Sequence, residues 1–106
     1  MKQYEIWWAS LAAPVGRRPV LLLSRTSAYG YLSKVTVAEV TSTIRGIPQE
    51  LKLGSDEGLE SCVASFDNIH AVQKKELIRR IGRLAPARIV EVKRALCWAF
   101  DWSEFQ

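Results

Sequence analysis

The chain has 106 residues, of which 48% are apolar and 25% charged, with a formal net charge of +4 and a pI near 9.3. This length suits one hydrophobic core, so we expect a single domain over residues 1–106. The composition excludes a disordered chain, and the sequence has no apolar run long enough to cross a bilayer. Since no signal peptide is evident either, we expect a cytoplasmic protein with no membrane association.

The first half of the chain alternates strand-forming residues with turn-forming ones. The second predicted strand follows Gly16, Arg17, Arg18 and Pro19, so a pair of cations lies where a loop meets a rigid strand. A cation held in this way is suited to binding a phosphate, although a solvated loop pair is the simpler interpretation. The three strands predicted in this half are residues 4–9, 18–24 and 34–40, and residues 25–33 are predicted to form a mobile loop.

The second half predicts shorter strands and one helix. Residues 66–68 are expected to interrupt extended structure, and residues 76–84 fit either a helix or a last strand. The predicted strands are residues 49–53, 61–65 and 69–72, and the helix is residues 86–100, with Ile89, Val92, Leu96 and Ala99 or Phe100 on its buried face. Many short strands and one terminal helix predict a mainly β fold, a small bent SH3-like β-barrel or half-barrel with the C-terminal helix packed on it.

Charge is unevenly distributed along the chain. Residues 39–67 contain six acids and two bases, a net charge of −4, whereas residues 74–94 contain eight bases and two acids, a net charge of +6. Such asymmetry predicts one basic face suited to a polyanion. Within this face we expect Arg79, Arg80 and Arg83 to bind a phosphate backbone, although a solvated charged surface would give the same pattern.

Two scattered cysteines, Cys62 and Cys97, and one histidine, His70, form no metal-ligating pattern. We therefore expect no metal and no cofactor, and two reduced thiols, with a single buried disulfide as the alternative. Catalysis would then depend on Arg, Thr or Ser, Asp and His. That set is adequate for cleaving RNA, because RNA carries its own nucleophile, the 2′-OH, which needs alignment, a base and stabilisation of the phosphorane charge.

Four motifs follow one another in a specific order along almost the whole chain. They are Gly16-x-Arg18-Pro19-Val20-Leu21, Val40-Thr41-Ser42, Phe66-Asp67-Asn68-Ile69 and Arg80-Ile81-Gly82-Arg83-Leu84, followed by the closing helix. In this order and spacing the chain resembles the MazF/PemK toxin family of type II toxin–antitoxin systems. The resemblance implies a homodimeric, metal-independent endoribonuclease that cleaves single-stranded RNA at short sequences, leaves 2′,3′-cyclic phosphate and 5′-OH ends, and is inhibited by an antitoxin.

The resemblance also assigns site residues. Arg18 matches the family's catalytic arginine, Thr41 its catalytic threonine, and Asp67 a carboxylate that some members use as the base; an ordinary strand-end role for Asp67 is equally open. Arg18 would stabilise transition-state charge, and Thr41 would orient the scissile phosphate. The expected substrate-binding residues are Arg17, Ser42, Thr43, His70, Arg80 and Arg83.

The chain departs from the family pattern at three places. The loop before Arg17 is short, Ser65 replaces a basic residue that precedes the aspartate in some members, and His70 replaces a frequent arginine. A histidine can act as acid or base near neutral pH, but a lone strand histidine is more often structural. The identity of the base and the cleavage sequence are therefore open.

Two other functions stay open at this point. One is a CcdB-type toxin of the same fold that poisons DNA gyrase through C-terminal residues including a tryptophan, for which residues 101–106 (DWSEFQ) are a loose match. The other is an RNA-binding barrel without catalysis. Neither explains why Arg18, Thr41 and Asp67 occur together.

Overall fold

A computed structural model describes residues 1–102 of the chain, so the last four residues of the proposed gyrase-binding tail lie outside the described residues. Six strands and one helix make up the regular structure. They are β1 (Glu5–Ser10), β2 (Arg17–Leu22), β3 (Lys34–Thr41), β4 (Glu50–Leu53), β5 (Cys62–Gln73), β6 (Leu77–Arg83) and α1 (Ile89–Ala99).

The strands form one antiparallel sheet in the order β4-β5-β3-β2-β1-β6. The sheet is curled into a half-barrel with α1 packed on it, which confirms the predicted mainly β fold. Side chains alternate between its two faces, and each face has its own apolar cluster. The first cluster includes Ile6, Leu21 and Val92 of α1, and the second includes Val20, Leu22 and Val37. Strands β2 and β3 lie in the middle of the sheet, so residues at their ends are held by neighbours on both sides.

Residues 66–68, which were predicted to interrupt extended structure, lie within the continuous strand β5. The strand runs without a break from Cys62 to Gln73, but its ladder with β3 does not. Ala38 pairs with Ile69, whereas the next residue, Glu39, pairs with Ser65. Residues 66–68 are therefore looped out of the ladder as a bulge, and this bulge sets the direction in which their side chains point.

Residues 76–84, which fit either a helix or a strand, form strand β6. β6 pairs with the edge of β1 that would otherwise be exposed, and the backbone groups of that edge form ladder hydrogen bonds with it. A short helix in this place could not form those hydrogen bonds. Gly82 favours this arrangement further. A Cβ at position 82 would overlap the backbone carbonyl oxygen of Glu57 and lie 3.1 Å from its carbonyl carbon. The strand thus passes directly against the turn that contains Glu57.

The remaining differences concern the loop at 25–33 and the helix. Residues Thr26–Gly30 form a short 3-10 helix, and Tyr29 is buried in the second apolar cluster. Burial raises the pKa of the Tyr29 hydroxyl to about 12.

The helix begins after a 3-10 turn at Pro86–Arg88, and Phe100, predicted on its buried face, is half exposed and stacked on Trp102. Within residues 1–102, no helix has the length and apolar character needed to cross a bilayer.

Candidate active site

A cleft of about 540 Å³ opens where the start of β2 meets the end of β3. The turn that follows β4 closes its other side with residues 58–62. Four of the ten predicted site residues line this one cleft, and they come from two motifs far apart in sequence: Arg17, Arg18, Thr41 and Ser42.

The register of the central strands explains why Arg18 and Thr41 line the same cleft. Val20 of β2 pairs with Glu39 of β3. The pairing ends there, and the same antiparallel register continued by two residues leads to Arg18 on β2 and Thr41 on β3, both of which line the cleft. Arg18 is also paired with Ala9 of β1, so its backbone is fixed from the other side as well. A guanidinium and a hydroxyl are thereby held on neighbouring rigid strands, which is the arrangement needed to bind one phosphate between them.

The Thr41 hydroxyl has a defined hydrogen-bonding role. The backbone N–H of Thr43 donates to Thr41 Oγ1 over 3.1 Å, in the turn that leaves β3. Because the oxygen already accepts this bond, its own O–H is available to donate to a phosphate oxygen. Thr43 itself is exposed, and its backbone rather than its side chain supports the site.

One residue that contacts two of the predicted site residues was not identified by the sequence analysis. Glu39 accepts a hydrogen bond from Arg18 Nη1 on Oε1 at 2.8 Å and is joined to His70 Nε2 through Oε2 at 2.7 Å. Its side chain is only 14% exposed, compared with 33% for Arg18 and 38% for His70. The available signal was alternation along β3, which places Glu39 on the same face as Thr41, two residues away. Glu39 therefore connects the predicted catalytic arginine to the only histidine of the chain.

Asp67 belongs to a different cluster. It accepts a hydrogen bond from Arg45 Nη2 at 2.9 Å and lies 3.4 Å from Gln49 Nε2. Arg45 also pairs with Glu50 at 3.0 Å. Burial opposes ionisation of Glu50, but hydrogen bonds from the Arg45 side chain and from nearby backbone N–H groups outweigh it and lower the pKa of that carboxyl. Arg45 thus supplies the cationic partner that Ser65 cannot provide, and Asp67 does not line the cleft.

The three arginines of the basic strand β6 lie in two environments. Arg80 and Arg83 line one depression beside the N-terminal segment, where Arg80 is paired with the poorly exposed carboxylate of Glu5 at 3.1 Å. Arg79, in contrast, lines a second cleft of about 660 Å³ together with Trp8, Arg17 and Ile78. This second cleft shares Trp8 and Arg17 with the first, so the two clefts adjoin.

The cleft also contains a thiol, which is unsuited to act as a nucleophile. Burial, and then the negative charge of Glu57, raise the pKa of the Cys62 thiol. It therefore stays protonated near neutral pH. Both cysteines are free and buried, so the reduced state is the one the structure contains. Across residues 1–102, no three His, Cys, Asp or Glu side chains gather closely enough to ligate one metal ion.

Comparison with known proteins identifies the family. A model of the PemK-like, MazF-like toxins of type II toxin–antitoxin systems matches residues 2–100. The chain belongs to this family. It is 41% identical over 98 residues to the probable endoribonuclease MazF2 of Mycobacterium tuberculosis, a match that spans 91% of this chain and 94% of that protein.

Solved structures of MazF toxins share the fold. The Mycobacterium tuberculosis toxin MazF-mt6 superposes with a TM-score of 0.86 at 35% identity, over 92% of this chain and 96% of that one. A mycobacterial endoribonuclease in complex with its cognate antitoxin superposes with a TM-score of 0.83 at 25% identity, over 95% of both chains. The resemblance read from the four motifs is thereby confirmed at the level of family and fold.

Proposed function

We propose that this MazF-type toxin endoribonuclease cleaves single-stranded RNA at a short sequence through attack of the substrate's own 2′-OH, without a metal ion. The products are a 2′,3′-cyclic phosphate and a 5′-OH end. The observation that carries the proposal is the cleft that Arg18 and Thr41, from two separate motifs, line together at the adjoining ends of β2 and β3.

Each residue of the pair has one role in this proposal. The Arg18 guanidinium neutralises charge that develops on the non-bridging oxygens as the phosphorane forms. The Thr41 O–H donates to one of these oxygens and holds the phosphate in line with the 2′-OH. Arg17 and Ser42 line the same cleft and bind the neighbouring backbone.

The adjoining cleft supplies the path for the rest of the strand. Trp8 offers an aromatic surface on which a base can stack, and Arg17 and Arg79 flank it with positive charge. Of the three arginines expected to bind phosphate, Arg79 is thus the best placed, because it lines the adjoining cleft whereas Arg80 and Arg83 line a separate depression.

The function is tested with purified protein and a long RNA of mixed sequence in excess EDTA. Wild type is expected to give discrete fragments with 5′-OH and 2′,3′-cyclic phosphate ends, which end-specific labelling detects. Thr41→Val keeps the side-chain shape but lacks the hydroxyl, and we expect cleavage to slow about 100-fold. Thr41→Ser is the matched control and retains most of the rate. Intact RNA in the wild-type lane, or cleavage that needs added Mg²⁺, contradicts the proposal.

Arg79 is tested through the salt dependence of binding. Arg79→Gln is expected to weaken RNA affinity and to reduce the slope of log K against log salt by about 0.7, the value for one phosphate contact on a single strand. Arg83→Gln, on the same strand but away from both catalytic clefts, serves as the control and changes the slope less. Both variants are made in a protein that also carries Arg18→Ala, so that the RNA is not cleaved while its binding is measured by fluorescence anisotropy. Equal slopes for the two variants would refute the assignment.

The proposal extends to partners. We propose that a cognate antitoxin inhibits the toxin by binding across the basic clefts, as an acidic segment would. We also propose that the toxin acts as a homodimer in the cytoplasm, where its RNA substrates are. Two observations support an antitoxin partner: the family to which the chain belongs, and the structure of the related mycobacterial endoribonuclease in complex with its cognate antitoxin.

A further inference from the structure

We infer that His70, oriented by Glu39, is the general base that removes the proton of the attacking 2′-OH. This inference rests on the proposed function, since it names the base for that reaction. Glu39 is a positioning residue in this scheme, because it holds both His70 and the catalytic Arg18 without contacting the substrate.

The geometry places three strands around one carboxylate. Arg18 comes from β2, Glu39 from β3 and His70 from β5, and Val37, next but one to Glu39 on β3, pairs with His70. The two oxygens of Glu39 are used separately, Oε1 by Arg18 at 2.8 Å and Oε2 by His70 at 2.7 Å. The catalytic guanidinium and the imidazole are therefore joined by a single side chain.

This contact determines which nitrogen of His70 is basic. An ionised carboxylate only accepts hydrogen bonds, so Nε2 of His70 must carry a proton to bond to it. In the neutral ring Nδ1 then holds the free lone pair. The same arrangement, a base oriented by a carboxylate through its other nitrogen, recurs in catalytic sites of unrelated enzymes. The His70 side chain is 38% exposed, so the ring is partly open to solvent.

The other candidates are less suitable. Neither Asp67 nor His70 is among the residues that line the cleft. His70 is joined through Glu39 to Arg18, which does line it. Asp67 is instead bound by Arg45 and lies near Gln49, neither of which lines the cleft. Cys62 is a thiol whose pKa is raised by burial and by the charge of Glu57, so it stays protonated near neutral pH. Glu60 lines the cleft but is exposed, and a solvated carboxylate is a weaker base than imidazole near neutral pH.

The chemical step balances without any further reactant. The 2′-oxygen forms a new bond to phosphorus while its proton passes to Nδ1 of His70. The bond between phosphorus and the 5′-oxygen breaks, and this oxygen takes a proton from water. The imidazolium then returns its proton to the solvent, which restores the neutral ring for the next turnover.

The test is single-turnover cleavage of a short RNA that contains one mapped site. His70→Gln retains an amide N–H that can donate to Glu39 but has no basic nitrogen, so we expect a loss of about 100-fold. His70→Ala is expected to lose as much and to regain rate when imidazole is added to the buffer. Substrate affinity of the Gln variant, measured with RNA carrying a 2′-deoxy group at the cleavage site, should stay near that of wild type.

A purely structural histidine gives different results. His70→Gln would then cleave like wild type, or His70→Ala would lose activity that imidazole does not restore, and either outcome overturns the inference. A large loss in Asp67→Asn or Glu60→Gln together with a normal rate in His70→Gln would transfer the role to that carboxylate and overturn it as well. Wild-type protein that leaves RNA intact would instead contradict the proposed function, so the two failures are distinguishable.

Discussion

Replacing Arg18 with alanine is expected to slow RNA cleavage by about 1,000-fold or more, because in the proposed mechanism the guanidinium stabilises the charge that develops on the phosphorane. The same change removes one of the two partners of Glu39, which keeps only His70. The measurement is the single-turnover rate at saturating enzyme, which separates the chemical step from binding. Arg18→Lys retains the charge but not the planar fork, and we expect an intermediate rate.

Arg17→Ala is the matched control for Arg18→Ala. Arg17 is the adjacent cation and lines the same cleft, but its side chain lies on the opposite face of β2 from the Arg18–Glu39 pair. We expect it to raise KM far more than it lowers the chemical rate. An Arg18→Ala protein that cleaves within tenfold of wild type would refute the catalytic role. If this variant also poisoned gyrase as the wild type did, the CcdB-like function would take precedence.

Gly82→Ala is expected to lower the free energy of unfolding by about 2–3 kcal/mol, the cost of forcing a methyl group into a packed site. The added Cβ would overlap the Glu57 carbonyl oxygen, and backbone cannot give way as a flexible side chain can. For a domain of this size that loss corresponds to a fall in Tm of about 10 °C or more. Urea unfolding followed by tryptophan fluorescence measures it directly.

The same contact links the stability of the fold to the site. The turn that contains Glu57 is tied down by a hydrogen bond from Gly54 N–H to Glu57 Oε1 at 2.7 Å and by Arg88 at 3.3 Å from Oε2. The residues that follow this turn, 58–62, close the candidate cleft at Arg18 and Thr41. We therefore expect Gly82→Ala to reduce cleavage even where the protein stays folded. Gly30→Ala is the control, since a Cβ there meets nothing within 4 Å, and its stability should change by less than about 0.5 kcal/mol. Equal stabilities for the two variants would show that the close approach is unimportant.

Most strands could be predicted because they carry their own local signal. β-branched and aromatic residues bounded by turn formers placed β1 to β4 within two residues of their observed limits, and apolar periodicity located α1. β6 could not be decided in this way, because Leu77, Ile78 and Ile81 fit either period. Its state depends on the open edge of β1 and on the close passage of Gly82 past Glu57, neither of which is a property of the segment alone.

The amino-acid order was enough to predict the family and the mainly β fold, which are confirmed, and to propose Arg18 and Thr41 as a site pair, because these depend on motifs that are each contiguous in the chain. The tertiary structure alone decided which groups surround that pair. Glu39 meets Arg18 across 21 residues and His70 across 31, through strand registers that no local pattern encodes. The bulge at residues 66–68 likewise directs Asp67 toward Arg45 instead of the cleft. Local propensity determines which segments become strands, whereas pairing register and bulges determine which side chains meet. The proposed base, His70, depends on the register, because the register brings it to Glu39.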